Sequence, residues 1–193
     1  MFAGYAIFVA ARAGQRLRPD APVASVVVGA IVGVHLVLAA LFVRRRAALA
    51  EASTTGVLVS LPSLALGGAI LAVAPPPGDW PLAAAVVFAA GVAVGVVSLV
   101  TLGRSFAVLP ARRALVTRGP YRVVRHPAYA GELVAVCAAA AAAGADPVAW
   151  VVVVALVPAL AARIRVEEQL LAGDPAWAAW AQRVRWRLVP GIW

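Results

Sequence analysis

The chain has 193 residues, 64% of them hydrophobic and 13% charged, whereas a water-soluble domain is about 45–50% apolar and about 25% charged. That excess excludes a surface that faces water all round, so long apolar runs must face lipid. The net charge of +9 rests on seventeen arginines and no lysine; they gather at the ends of apolar runs, where lipid headgroups and the positive-inside bias account for them, which excludes a nucleic-acid partner.

The first residues, Met1–Ala11, are apolar but lack the basic start of a secretory signal. With Arg12, Arg16 and Arg18 after them, Phe2–Leu17 is expected to be an interfacial helix or a mobile arm. Pro22–Val43 is the first clear span, long enough for about 30 Å of hydrocarbon, and it stops at Arg44, Arg45 and Arg46. Val57–Ala74 is the second span, Pro75–Asp79 a tight turn and Pro81–Val100 the third span. Tyr129–Ala143 and Pro147–Ala162 form an apolar pair broken at Gly144-Ala145-Asp146-Pro147, which fits a tilted helical hairpin.

The fold class expected is therefore an all-α integral membrane protein with about five transmembrane helices, the last two a hairpin, plus a C-terminal interfacial or cytosolic helix. The chain reads as one membrane domain, with N-terminal transmembrane helices over 1–100 and a polar-rich core over 101–193. Segments 44–56, 101–128 and 163–193 carry fourteen of the seventeen arginines, which sets them in the cytoplasm and the N-terminus outside. Gly29-xxx-Gly33 and Gly91-xxx-Gly95 are small-residue motifs that either let helices approach closely or arise by chance in a Gly/Ala/Val-rich sequence. His35 and Cys137 lie inside apolar spans as packing residues, with His35 bonded to a backbone carbonyl. One cysteine closes no intrachain disulfide, and the Cys/His spacing of a metal site is absent.

The C-terminal helix is signalled by Asp174-Pro175, an N-cap followed by proline at the first helical position. Trp177, Trp180, Ala181 and Val184 repeat at helical spacing. That stripe reads as an anchor with aromatics at headgroup depth, or as a roof over a site against the membrane.

Polar residues concentrate in two blocks. The first runs from Leu102 to Gly131. Gly119-Pro120 forces a turn, and Arg125-His126-Pro127 keeps the chain extended, because the residue before proline avoids the helical region. Tyr129 and Gly131 then open an apolar helix whose N-terminal N–H groups can hold an anion such as an amino-acid carboxylate. The competing reading is a basic loop anchored to lipid phosphate. The second block, Arg163–Leu171, sets Glu167 and Glu168 at the end of the last apolar helix. Carboxylates there must be paired or face water. Arg163 is placed for an i,i+4 pair with Glu167, and either Glu can instead face an amine, a ribose hydroxyl or a cation.

The run Gly119-Pro-Tyr-Arg-x-x-Arg-His-Pro-x-Tyr-x-Gly131, the hairpin after it, and Arg163-x-x-x-Glu-Glu-x-x-Leu resemble the isoprenylcysteine carboxyl methyltransferase and phospholipid methyltransferase families. Leu102-Gly-Arg-Ser and Arg183-Val-Arg-Trp-Arg-Leu-Val-Pro190 look similar too, so the resemblance covers about Leu99–Pro190. It implies S-adenosylmethionine held at Arg125, His126, Pro127, Tyr129 and Gly131, with Glu167 and Glu168 supporting it. It also implies a catalytic part for Glu167 and for Arg185 or Arg187, the arginines as holders of an anionic substrate group. The expected acceptor is a carboxylate or hydroxyl on an isoprenoid or polyketide-like lipid entering from the bilayer. A hydroxyl would need a base, His126 or a Glu. The GC-biased composition suits a bacterial inner-membrane enzyme with its site facing the cytoplasm. The alternatives are a sterol-reductase-like enzyme using NADPH and a non-enzymatic membrane scaffold.

Overall fold

The computed structural model describes Gly4, residues 6–9, Ala11 and residues 21–193. The expected arm, Phe2–Leu17, lies mostly outside the described residues; those described within it are helical. Six further helices follow: α1 (Pro22–Arg44), α2 (Thr54–Val73), α3 (Leu82–Leu102), α4 (Pro127–Ala142), α5 (Pro147–Leu171) and α6 (Pro175–Arg183). Two short strands, β1 (Ala50–Glu51) and β2 (Ala111–Arg112), pair antiparallel.

The protein is all-α and membrane-embedded in character. α1, α2, α3 and α5 are long and apolar enough to cross a membrane. α4 has 16 residues, about 24 Å at 1.5 Å per residue, short of the ~30 Å hydrocarbon thickness. α5 has 25 residues and runs nine beyond the expected Ala162, because Arg163, Glu167 and Glu168 find partners inside the protein and the helix continues through them.

Local chemistry sets the boundaries. Ser53 caps α2 by accepting from the Gly56 N–H (3.2 Å), and Asp146 caps α5 by accepting from the Val148 N–H (2.8 Å). Gly144, at φ +66°, makes the expected break between α4 and α5; a side chain is disfavoured there. Gly119, at φ +58°, opens the expected turn before Tyr121 in the same way.

α4 sits inside the bundle. It packs on α3, α5 and α2, while α1 packs on α3 and α2 on α5. Its buried Ala138, Ala139 and Ala140 allow neighbours to approach from several sides. At the α3–α4 crossing a Cβ on Gly91 would lie 2.7 Å from the Ala135 nitrogen and 2.8 Å from the Gly131 oxygen. The Gly91/Gly95 motif is thus a true helix contact, with Gly131 as its counterpart. Gly29 and Gly33 correct the parallel expectation: a Cβ on either meets nothing within 4 Å among the described residues. Leu82, Val86, Val97, Val151, Val154 and Val157 point outward, an apolar exterior suited to lipid.

The three polar segments meet at one end of the bundle. β1–β2 pairs the α1–α2 connection with the α3–α4 connection, and the Arg46 N–H donates to the Arg104 carbonyl (3.0 Å). Arg112 reaches from β2 to the Gly173 carbonyl after α5.

Candidate active site

The site is assembled from the α3–α4 connection, the last two turns of α5 and the C-terminal tail. His126 caps α4 with non-helical backbone, and Pro127 occupies the first helical position. The extended pair Arg125-His126 is fixed by the tail: their N–H groups donate to the carbonyls of Trp186 and Arg187, both at 2.9 Å. The expected free N–H groups of the α4 start are largely engaged, since Tyr129 and Ala130 both donate back to the His126 carbonyl at 3.1 Å.

Glu168 is the hub of a brace. Its Oε1 accepts from Arg125 Nη1 (3.1 Å) and faces His126 Nε2 (3.4 Å). Its Oε2 accepts from Arg187 Nε (3.0 Å) and Nη2 (2.8 Å). Arg125 donates its other N–H groups to the Val184 carbonyl (2.7 Å) and the Ala181 carbonyl (2.9 Å). One carboxylate and two guanidiniums thus join α5, the start of α4 and the tail.

Glu167, one residue earlier on α5, turns the other way. It accepts from the Tyr129 hydroxyl and from Arg163 Nε (3.4 Å), the expected i,i+4 pair. Its second oxygen lies 3.8 Å from His126 Nδ1. The Tyr129 ring stacks on His126 with 13° between planes, and the Arg163 guanidinium sits 4.9 Å from the centre of the Tyr129 ring. Arg163 is only 3% exposed; it also donates to Ser63 Oγ on α2 (3.2 Å) and to the Val108 carbonyl.

These side chains border a cavity of about 700 Å³, within the ~300–1,000 Å³ of small-molecule sites. Its polar end is walled by Tyr121, Arg125, His126, Tyr129, Glu167 and Trp180. Its apolar end runs between α1, α2 and α3, past Leu38, Leu64, Phe88 and Val92. α6 forms part of the roof. Trp177 and Trp180 are buried against Tyr121 and Val184, so the expected membrane-facing stripe is covered by protein instead. Burial, and next the charge of Glu167, raise the Tyr121 phenol above its ordinary pKa.

Residues 83–173 match the model of the isoprenylcysteine carboxyl methyltransferase (ICMT) family. The chain carries an ICMT-family domain. A membrane methyltransferase is the activity class that this match supports. Comparison with curated proteins finds no match for the chain.

The ICMT segment holds most of the residues expected from the sequence. Arg125, His126, Tyr129, Gly131 and Glu167 line the cavity. Pro127 is buried at the helix start. Glu168 and Arg187 lie behind the wall, in the brace. Arg185 is exposed and is not part of the cavity wall.

Three residues of the cavity wall were not singled out as site residues from the sequence. Arg163 is a hub rather than a simple helix pair. Glu132 turns into the cavity beside Gly67, where a Cβ would fall on its carboxylate, and it feels the charges of Arg163 and Glu167. A lone acid in the apolar run Tyr129–Ala143 was the available signal, since a carboxylate in lipid needs a reason to be there. Trp180 carries a buried Nε1 with no hydrogen-bond partner among the described residues.

Proposed function

We propose that this protein uses S-adenosylmethionine to methylate a lipophilic acceptor that enters the cavity from the bilayer. The observation that carries this reading is the convergence of His126, Tyr129 and Glu167 on the wall of a cavity that continues between apolar helices, within the segment matching the family. The donor set fits such a cofactor. Glu167 offers a carboxylate to its cationic centres, Tyr129 and His126 offer flat rings, and the unpartnered Trp180 Nε1 offers a donor.

S-adenosylmethionine supplies an activated methyl group on a sulfonium centre. The chain's own task is to position the acceptor and keep water away, which for an in-line displacement is most of the catalytic work. Glu167, oriented by the Tyr129 hydroxyl and Arg163, is the residue we assign to the cofactor's positive charge. Arg125, Glu168 and Arg187 act as positioning residues, since the brace fixes His126 and the roof. A carboxylate acceptor needs no base. For a phenol or alcohol, Glu132, which makes no hydrogen bond among the described residues, is the group placed to take the proton.

Calorimetry with the purified protein tests the cofactor: binding of S-adenosylhomocysteine without binding of NADPH supports the reading. Binding of NADPH alone points to a reductase, and binding of neither to a scaffold. Lipid extracts incubated with radiolabelled S-adenosylmethionine, then resolved by mass spectrometry, identify the acceptor.

A further inference from the structure

The cavity wall also carries a charged group away from the carboxylate cluster. Arg113 follows β2, and extended backbone sends successive side chains to opposite sides. Arg112 turns out to the Gly173 carbonyl, while Ala111 and Arg113 face the cavity. Pairing of Ala50 with Arg112 and of Glu51 with Ala111 holds this geometry. Arg113 is 8% exposed, and its Nε and Nη1 are buried with no hydrogen-bond partner among the described residues.

A buried guanidinium with idle N–H groups is costly, because those groups have lost water and gained nothing. The charges that bear most on Arg113 are Arg45, a second cation, and Glu51. Glu51 forms no ion pair with it among the described residues. Burial and Arg45 together disfavour its charge, and an acidic ligand would relieve both. Phe42 shares the cavity wall and lies 3.8 Å beneath the Arg45 guanidinium. From Phe42 the cavity follows one face of α1 past Leu38, His35 and Ile31, a groove suited to an apolar chain.

We propose that Arg113 is the headgroup site of this cavity, holding the carboxylate or phosphate of an anionic lipid whose chain lies along α1. A planar fork of N–H donors matches either oxyanion in two-point contact. This site goes beyond the methyltransferase reading and does not depend on it.

The test is equilibrium binding of radiolabelled oleate and oleyl alcohol to the full-length protein in detergent, for wild type, Arg113→Gln and Arg113→Lys. S-adenosylhomocysteine affinity is measured in parallel. Wild type is expected to bind oleate about tenfold more tightly than oleyl alcohol. Arg113→Gln should lose that preference while keeping oleyl alcohol and S-adenosylhomocysteine binding, and Arg113→Lys should recover part of it. Competition by phosphatidylglycerol but not phosphatidylcholine assigns the anion to a bilayer phospholipid, and its absence assigns it to a free lipid acid; both support the site. Equal binding of the two probes by wild type, or an unchanged preference in Arg113→Gln, overturns it. Loss of S-adenosylhomocysteine binding in Arg113→Gln also overturns it, by placing Arg113 in the cofactor's site. An oleate preference in a wild type that binds no S-adenosylhomocysteine removes the methyltransferase reading and leaves the headgroup site standing.

Discussion

Adjacent carboxylates on one helix have opposite duties here. Glu168 is matched against Arg125 and Arg187. Removing one partner of such a buried network leaves charge uncompensated, which costs more than the pair itself contributes. Glu168→Ala should therefore destabilise the protein by about 3 kcal/mol, read from unfolding in mixed detergent micelles, and Glu168→Gln by less. Glu167 faces the cavity and also pairs with the buried Arg163, so Glu167→Gln should lower stability and weaken S-adenosylhomocysteine binding about tenfold, the size of one lost charge-assisted hydrogen bond. Tyr121 gives a pH signature. Its phenol is raised by burial and then by Glu167, so its folded value lies above the unfolded value of about 10. That contribution is intact below pH ~10 and lost as pH rises toward the folded value, because the unfolded chain ionises first. The melting temperature of wild type should fall more steeply above pH 10 than that of Tyr121→Phe.

The helices differ in how tightly they tolerate change. The α3–α4 crossing has backbone against backbone at Gly91, Gly95 and Gly131. Gly91→Val should cost about 1–3 kcal/mol through overpacking and displace Gly131 from the cavity wall. Gly29→Ala, with open space around it, should fall within about 0.5 kcal/mol of wild type. Comparing the two melting temperatures checks both. Identical sequence spacing gave the two motifs the same appearance, and only the neighbour opposite each helix distinguishes them. For α6 the capping residues Asp174 and Pro175 were legible because capping is a local interaction. The destination of Trp177 and Trp180 was not, since an apolar stripe looks the same whether lipid or Tyr121 covers it.

At the scale of the whole molecule, the connection after α1, the loop before α4 and the tail lie at one end, tied by β1–β2, by Arg112 and by the Glu168 brace. In a Cys137→Ala background, cysteines at Arg46 and Arg118 should react with an impermeant maleimide from the same side of the membrane, and one at Gly78 from the other. Labelling of Arg46 and Gly78 from one side would contradict the bundle's arrangement.

By itself the sequence determined the membrane character, the positions of the helices and the clustering of motif residues from Arg125 to Gly131 with Glu167 and Glu168. Those are properties of composition, periodicity and local capping, which act over a few residues. Tertiary structure alone decided which charges pair and which face the cavity. Glu167 and Glu168 are neighbours in sequence yet diverge around α5. Arg163 joins α2, the α3–α4 connection and α5 through partners up to 100 positions away. Glu132 and Arg113 acquire meaning only from the cavity they enter. The reason is physical: in a chain with so few charged groups, each one's energy is set by the partner that folding brings to it, and that partner is seldom nearby in sequence.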